Sequence, residues 1–117
     1  MNDTNLTFIG GGNMAASLIG GLIADGWNPA RIRVADISPE RLQQLSQRFP
    51  VVTSTDNRDA AEQADIIVLA VKPQVMQSVA RELASLVDRQ RPLVISIAAG
   101  ISADALGNWL GTSTAIV

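Results

Sequence analysis

The residues with the clearest chemical use lie near the start of the chain, in a run of three glycines. Gly10-x-Gly12-x-x-Ala15 follows the predicted strand at residues 6–9 and precedes a helical pattern. In such a turn the first glycine permits a sharp bend, and the second lets backbone N–H groups approach a diphosphate with no Cβ in the way. The small third residue lets the helix pack closely on the strand, and the first helical turn offers free N–H donors to phosphate. The pattern predicts a dinucleotide-binding turn.

A second candidate group follows the second predicted strand. Asp36 stands where an acidic residue can hold the adenosine ribose hydroxyls of NAD, and its carboxylate would repel the 2′-phosphate of NADP. Ser38, with Arg41 a turn further on, could bind that phosphate instead. The residues themselves leave the choice between NAD and NADP open.

Two further candidates follow the fourth and fifth predicted strands. Lys72 is the only lysine in the chain, and Pro73 restricts its backbone. Its ammonium could meet a ribose hydroxyl or a phosphate, its loop could hold the nicotinamide ribose, or it could be an ordinary exposed lysine. Ala98, Ala99 and Gly100 carry very small side chains or none, so they could form a surface against which a flat ring packs. A tight turn between strand and helix would explain the same residues.

The composition excludes several kinds of chemistry. The chain has no Cys and no His, which removes a thiolate nucleophile, the usual zinc sites and a Ser-His-Asp triad. The acidic residues are scattered singly, so we expect neither a catalytic carboxylate pair nor a metal site. A net charge of −2 and few aromatic residues argue against nucleic-acid binding. With no apolar run near ~18 residues and no signal sequence, we expect a cytoplasmic protein that does not meet a membrane.

The elements that must position these residues alternate between strand and helix. Apolar runs predict strands over 6–9, 31–36, 51–53, 65–71, 93–98 and 114–117. Helical spacing predicts helices between them, from these apolar positions: Met14, Leu18 and Leu22; Leu42, Leu45 and Phe49; Val75, Val79, Leu83 and Leu86; and, as a buried side, Leu106, Trp109 and Leu110. This alternation predicts an α/β doubly wound parallel sheet, the Rossmann fold, of about six strands in the order 3-2-1-4-5-6 with helices on both faces.

Three blocks of sequence together resemble pyrroline-5-carboxylate reductase. They are Phe8 to Ala15, Ala70 to Gln74 and Ser96 to Ile101, and the resemblance runs over residues 5–117. It implies NAD(P)H-dependent reduction of 1-pyrroline-5-carboxylate to L-proline, with NADPH favoured and NAD possible. Asp36 departs from the small or neutral residue that the family often has there.

The resemblance also implies roles for particular residues and for the chain as a whole. The diphosphate would lie on Ile9, Gly10, Gly11, Gly12, Asn13 and Met14. Ser38 would bind the adenosine ribose or its phosphate, and Asn57 would lie near the adenine. The nicotinamide ribose would lie near Ala70, Val71, Lys72 and Pro73, and the nicotinamide ring against Ile97, Ala98 and Ala99. Residues 1–117 would form the dinucleotide-binding domain, and a C-terminal helical domain that dimerises and binds the imino acid would be missing.

Two alternatives to this function stay open. The chain could belong to another two-domain NAD(P) oxidoreductase, for which Lys72 would be the sole candidate acid. It could also be a non-catalytic dinucleotide sensor that signals through the sixth strand or through Gly20-Gly21, which we expect to pack closely on the sheet or a partner. The strand pattern that ends on the last residue favours a chain cut from a larger protein over a natural edge strand.

Overall fold

A computed structural model of the chain describes residues 4–98, 100–111 and 116–117. The strands are β1 (Leu6–Ile9), β2 (Ile32–Ala35), β3 (Val52–Ser54), β4 (Ile66–Leu69) and β5 (Leu93–Ser96). The α-helices are α1 (Asn13–Ala24), α2 (Pro39–Arg48), α3 (Asn57–Ala61), α4 (Pro73–Gln90) and α5 (Ala103–Leu110). A 3-10 turn, Pro29–Arg31, precedes β2.

The strands form one parallel sheet in the order β3-β2-β1-β4-β5. Leu6 of β1 pairs with Ile32 on one side and with Ile66 on the other, so the order reverses between β1 and β4. This confirms the predicted doubly wound sheet. Of the sixth predicted strand, the described residues contribute one parallel bridge between Val94 and Ile116, and Thr114 and Ala115 lie outside the described residues.

Each face of the sheet carries its own layer of helices, because alternate strand residues point to opposite faces. Side chains of α1 and α2 pack with Phe8 and Val34 on one face. Side chains of α3, α4 and α5 pack with Ile67 and Leu69 on the other. Both faces of β4 therefore meet apolar residues, which is why its sequence is a continuous apolar run.

The apolar face that the spacing predicts for α1 is only partly buried. Met14 is 62% exposed and Leu18 is 40% exposed, whereas the buried residues of this helix are Ala15, Ala16 and Ile19. The small residues face the sheet because they let the helix backbone approach it closely. In a helix this apolar, a four-residue spacing of apolar residues occurs on more than one side, so the spacing alone does not identify the buried side. Val75, which belongs to the predicted apolar pattern of α4, is also exposed, whereas the neighbouring Met76 is buried.

The two glycines inside α1 also differ from each other. A Cβ on Gly20 would lie 3.2 Å from the Phe49 ring at the end of α2, so this glycine packs against the neighbouring helix rather than the sheet. A Cβ on Gly21 would meet nothing within 4 Å. No helix in the described part of the chain is both long enough and apolar enough to cross a membrane.

Candidate dinucleotide-binding site

The glycine turn joins β1 to α1 and is held between the ends of two neighbouring strands. Gly10 has φ +106°, and a Cβ at this position would lie 2.5 Å from the carbonyl oxygen of Ala70. Its N–H donates to the Ala35 carbonyl at 2.7 Å, while the Ala70 N–H donates to the Ile9 carbonyl at 2.8 Å. Both the backbone conformation and the close approach therefore require glycine at position 10.

The reason for glycine at position 12 is different, because the protein leaves open space around this residue. It has an ordinary φ of −75°, and within 4 Å of its Cβ position lies only one described atom, a guanidinium nitrogen of Arg41 at 4.0 Å. Nothing in the fold of the described residues therefore excludes a side chain there. Glycine at this position fits a ligand that approaches the backbone closely.

Gly12 also begins α1 without a capping side chain. The side chains of Ser38, Asp56 and Ser102 accept N–H hydrogen bonds at the starts of α2, α3 and α5. Lys72, which begins α4, resembles Gly12 in having no side-chain cap hydrogen bond. The helices α1 and α4, which lack a side-chain cap, follow β1 and β4, and the strand order reverses between these two strands. Open α/β sheets bind ligands at the carboxyl ends of the strands where the order reverses.

Asp36 lies directly beside the glycine turn. Its carboxylate Oδ2 accepts from the Gly11 N–H at 2.8 Å, and Oδ1 accepts from the Ser38 N–H at 2.9 Å. The guanidinium of Arg41 lies 3.3 Å from Oδ2. Asp36 is only 7% exposed, so this carboxylate is buried and compensated by donors of the chain itself.

A cleft opens between the glycine turn and α2. It is lined by residues 11–13 of the turn, by Ala16, and by Arg41, Gln44, Leu45 and Arg48. Residues 41, 44 and 48 repeat with the spacing of one helix face, so the two arginines line the same cleft. The Arg48 guanidinium carbon lies 5.0 Å from the centre of the Phe49 ring. Our sequence reasoning missed Gln44 and Arg48, although the spacing from Arg41 was a signal that could have found them.

The remaining predicted residues lie at the same edge of the sheet, in the loops or helix starts that follow the strands. Ala70 and Val71 follow β4 and are half-buried beside Gly10. Ile97 and Ala98 follow β5 and are half-buried as well. Asn57 begins α3, where its side-chain amide donates to Glu82 Oε1 at 3.0 Å. Ala99 lies outside the described residues.

The groups at this edge can bind a phosphate-bearing ligand, but they offer little acid–base or metal chemistry. Among residues 4–98, 100–111 and 116–117, no three His, Cys, Asp or Glu side chains lie together as metal ligands would. The donors gathered there are backbone N–H groups, the guanidinium of Arg41 and the ammonium of Lys72. The fold and the glycine turn define the chain as a Rossmann-type domain of the dinucleotide-binding class.

Comparison with known proteins identifies the family. The family model described as NADP oxidoreductase, coenzyme F420-dependent, matches residues 5–100, and the chain belongs to this family. Over its whole length the chain is 42% identical to the pyrroline-5-carboxylate reductase of Pseudomonas aeruginosa, of which it covers 42%. The resemblance predicted from the three sequence blocks is thus confirmed.

Solved structures of pyrroline-5-carboxylate reductases are similar to this chain over nearly its whole length. A pyrroline-5-carboxylate reductase from Coxiella burnetii matches with a TM-score of 0.94 and 43% identity, covering 98% of this chain and 43% of that one. The Plasmodium falciparum enzyme with NADP bound matches with a TM-score of 0.83 and 26% identity, covering 99% of this chain and 41% of that one. The chain therefore spans less than half the length of these relatives.

Proposed function

We propose that this chain is the cofactor-binding domain of a pyrroline-5-carboxylate reductase, which reduces 1-pyrroline-5-carboxylate to L-proline with NAD(P)H. The observation that carries the proposal is the open, uncapped start of α1 at Gly12, beside a turn that admits only glycine at position 10. The 42% identity to the Pseudomonas aeruginosa enzyme supports the choice of reaction. In the complete protein, a C-terminal helical domain would bind the imino acid and form a homo-oligomer.

The chain would bind the cofactor along the carboxyl ends of its strands. We assign the diphosphate to the turn from Ile9 to Met14, where the first N–H groups of α1 and the positive end of its dipole attract anions. The adenosine end would extend past Ser38 to Asn57. The nicotinamide end would extend past residues 70–73 to residues 97–99.

The bound nicotinamide supplies a hydride, and the protein supplies binding and orientation. The half-buried Ala70, Ile97 and Ala98 present small or aliphatic surfaces that hold a flat ring without competing for its polar groups. A cyclic imine can carry its own proton on nitrogen before it is reduced. The absence of His, Cys and Tyr from this chain is consistent with a domain that orients the cofactor and transfers no proton.

We propose NADPH as the preferred cofactor. Arg41 and Arg48 line the cleft beside Gly12, and guanidiniums pair well with phosphate oxygens. The carboxylate of Asp36 would oppose a 2′-phosphate, but two N–H groups and Arg41 already compensate its charge. The relative from Plasmodium falciparum with NADP bound supports the same choice.

The binding part of the proposal is tested by Gly12→Val with Gly21→Val as its matched control. Both glycines belong to the turn and helix that follow β1, and neither has a close described neighbour that a side chain would overlap. We expect Gly12→Val to fold normally and to weaken NADPH binding by about tenfold or more, since it places a branched side chain against the diphosphate. Gly21→Val should bind as the wild type does. Unchanged NADPH affinity in Gly12→Val, measured by cofactor fluorescence, would refute the site.

The reaction is tested in a chimera, since the chain spans under half of its relatives. Residues 1–117 replace the matching segment of the Pseudomonas aeruginosa reductase, with which they align along their whole length. We expect the chimera to form proline from 1-pyrroline-5-carboxylate and NADPH, and the same chimera with Gly12→Val to lose this activity. A folded chimera that binds NADPH but forms no proline would contradict the assigned reaction.

A further inference from the structure

Asp36 is a buried charged residue whose carboxylate is engaged within the chain. Two backbone N–H groups, from Gly11 and Ser38, reach one oxygen each, and Arg41 contacts the oxygen that Gly11 uses. The Asp36 side chain is 6% exposed, whereas that of Arg41 is 54% exposed. A carboxylate has about four lone-pair sites, so three donors leave little capacity for a further ligand.

The hydrogen bond to Gly11 joins two turns that lie 25 positions apart in the sequence. It holds the middle glycine of the turn, between Gly10, which is clamped against β4, and Gly12, which begins α1. A Cβ on Gly11 would lie 3.3 Å from Val34 and 3.5 Å from Asp36 Oδ2, so the turn already packs tightly against the end of β2. The carboxylate therefore fixes the peptide that precedes the open helix start.

The same carboxylate also orients a cation. Arg41 projects from the first turn of α2, and its guanidinium lies both 3.3 Å from Asp36 Oδ2 and 4.0 Å from the Cβ position of Gly12. A long, half-exposed side chain gains a defined position from such a contact. Asp36 thus holds Arg41 over the cleft beside the glycine turn.

We propose that Asp36 is a positioning residue, which fixes the glycine turn and Arg41 for binding of the cofactor phosphates and does not itself bind the adenosine ribose. This inference rests on the proposed function and deepens it. A ribose diol would have to displace the Ser38 N–H or Arg41 from the carboxylate. Because Asp36 acts on the turn that both cofactors share, its loss weakens binding of NADH as well as of NADPH.

The experiment compares Asp36→Ala and the nearly isosteric Asp36→Asn with the wild-type chain. Asp88→Ala is the matched control, since it removes a carboxylate that lies 3.6 Å from Arg91 on the surface near the end of α4. The first measurement needs no cofactor: ¹⁵N–¹H spectra report the Gly11 amide. We expect its proton resonance to move upfield and its hydrogen exchange to accelerate by about tenfold or more in both Asp36 variants. The control should leave this amide unchanged.

The second measurement is the affinity for NADH and for NADPH, by cofactor fluorescence, with each variant shown to be folded by circular dichroism. We expect both dissociation constants to rise by about tenfold or more in Asp36→Ala, and that of NADPH to rise by at least as much as that of NADH, because Arg41 is released together with the turn. Asp36→Asn should not rescue binding. The NH₂ group of the asparagine side chain is itself a donor, so it cannot accept a hydrogen bond from the N–H group that it would face. Arg41→Ala should weaken NADPH binding while leaving the Gly11 amide in place.

The outcomes separate this inference from the proposed function. An unchanged Gly11 amide in the Asp36 variants would overturn the inference, and so would a selective loss of NADH binding with NADPH binding kept or improved. A wild-type chain that binds neither dinucleotide would refute the proposed function, while the amide measurement would still decide whether Asp36 holds the turn. Should Asp36→Ala fail to fold, Asp36→Asn decides by the same two criteria.

Discussion

Gly10→Ala should destabilise the domain far more than a single methyl group usually does. The new Cβ would lie 2.5 Å from the carbonyl oxygen and 2.8 Å from the carbonyl carbon of Ala70, and both are backbone atoms that cannot rotate away. A residue other than glycine at φ +106° costs of order 1–3 kcal/mol, and overpacking adds about 1–3 kcal/mol. We expect the free energy of unfolding to fall by about 2–6 kcal/mol, a large part of the ~5–15 kcal/mol of a typical domain.

The same substitution at Gly21 provides the matched control, with the opposite sign. Gly21 lies inside α1 with nothing within 4 Å of its Cβ position, so alanine there should raise the free energy of unfolding by about 0.5–1 kcal/mol. Urea unfolding followed by circular dichroism measures both changes on one scale. If Gly10→Ala unfolds within about 1 kcal/mol of the wild type, the reasoning about the turn and β4 is refuted.

Two further predictions concern the core that supports the site. The buried Thr7 hydroxyl donates to the Ala60 carbonyl at 2.6 Å, so Thr7→Val should lower the free energy of unfolding by about 1–3 kcal/mol, and an unchanged urea midpoint would contradict it. On α4, Leu83→Ala should cost about 2–5 kcal/mol because Leu83 is fully buried, whereas the exposed Val75→Ala should change stability by about 0.5 kcal/mol or less. Equal losses at the two positions would show that the buried face of the helix is assigned wrongly.

The proposed binding mode depends on two different uses of glycine within one turn. Gly10 is required by the fold, since its conformation and the Ala70 carbonyl exclude any side chain. The fold of the described residues does not require glycine at position 12. We therefore attribute this glycine to close approach of the ligand. The two positions can therefore be separated by experiment: a substitution at Gly10 should reduce stability, and one at Gly12 should reduce cofactor affinity.

Much of the candidate site was predictable because it depends on local sequence. The glycine spacing, the proline at the start of α4 and the Ser38 cap of α2 each act within a few residues. Parallel strands place their following loops at one edge, so the strand pattern was enough to bring these loops together. Arg48 was missed because the reasoning followed loops, whereas this side chain reaches the cleft from the second half of a helix.

The sequence by itself determined the order of strands and helices, the parallel sheet and the position of the glycine turn, because each follows from short-range patterns and from the handedness of crossovers. Only the tertiary structure decided which side of α1 is buried, since its apolar residues satisfy helical spacing on more than one side. It also brought the carboxylate of Asp36 to the glycine turn. A carboxylate at the end of a strand has the same sequence signature whether it faces a ribose or a backbone N–H group, and only the packing of β1 beside β2 brings the Gly11 amide within 2.8 Å of it.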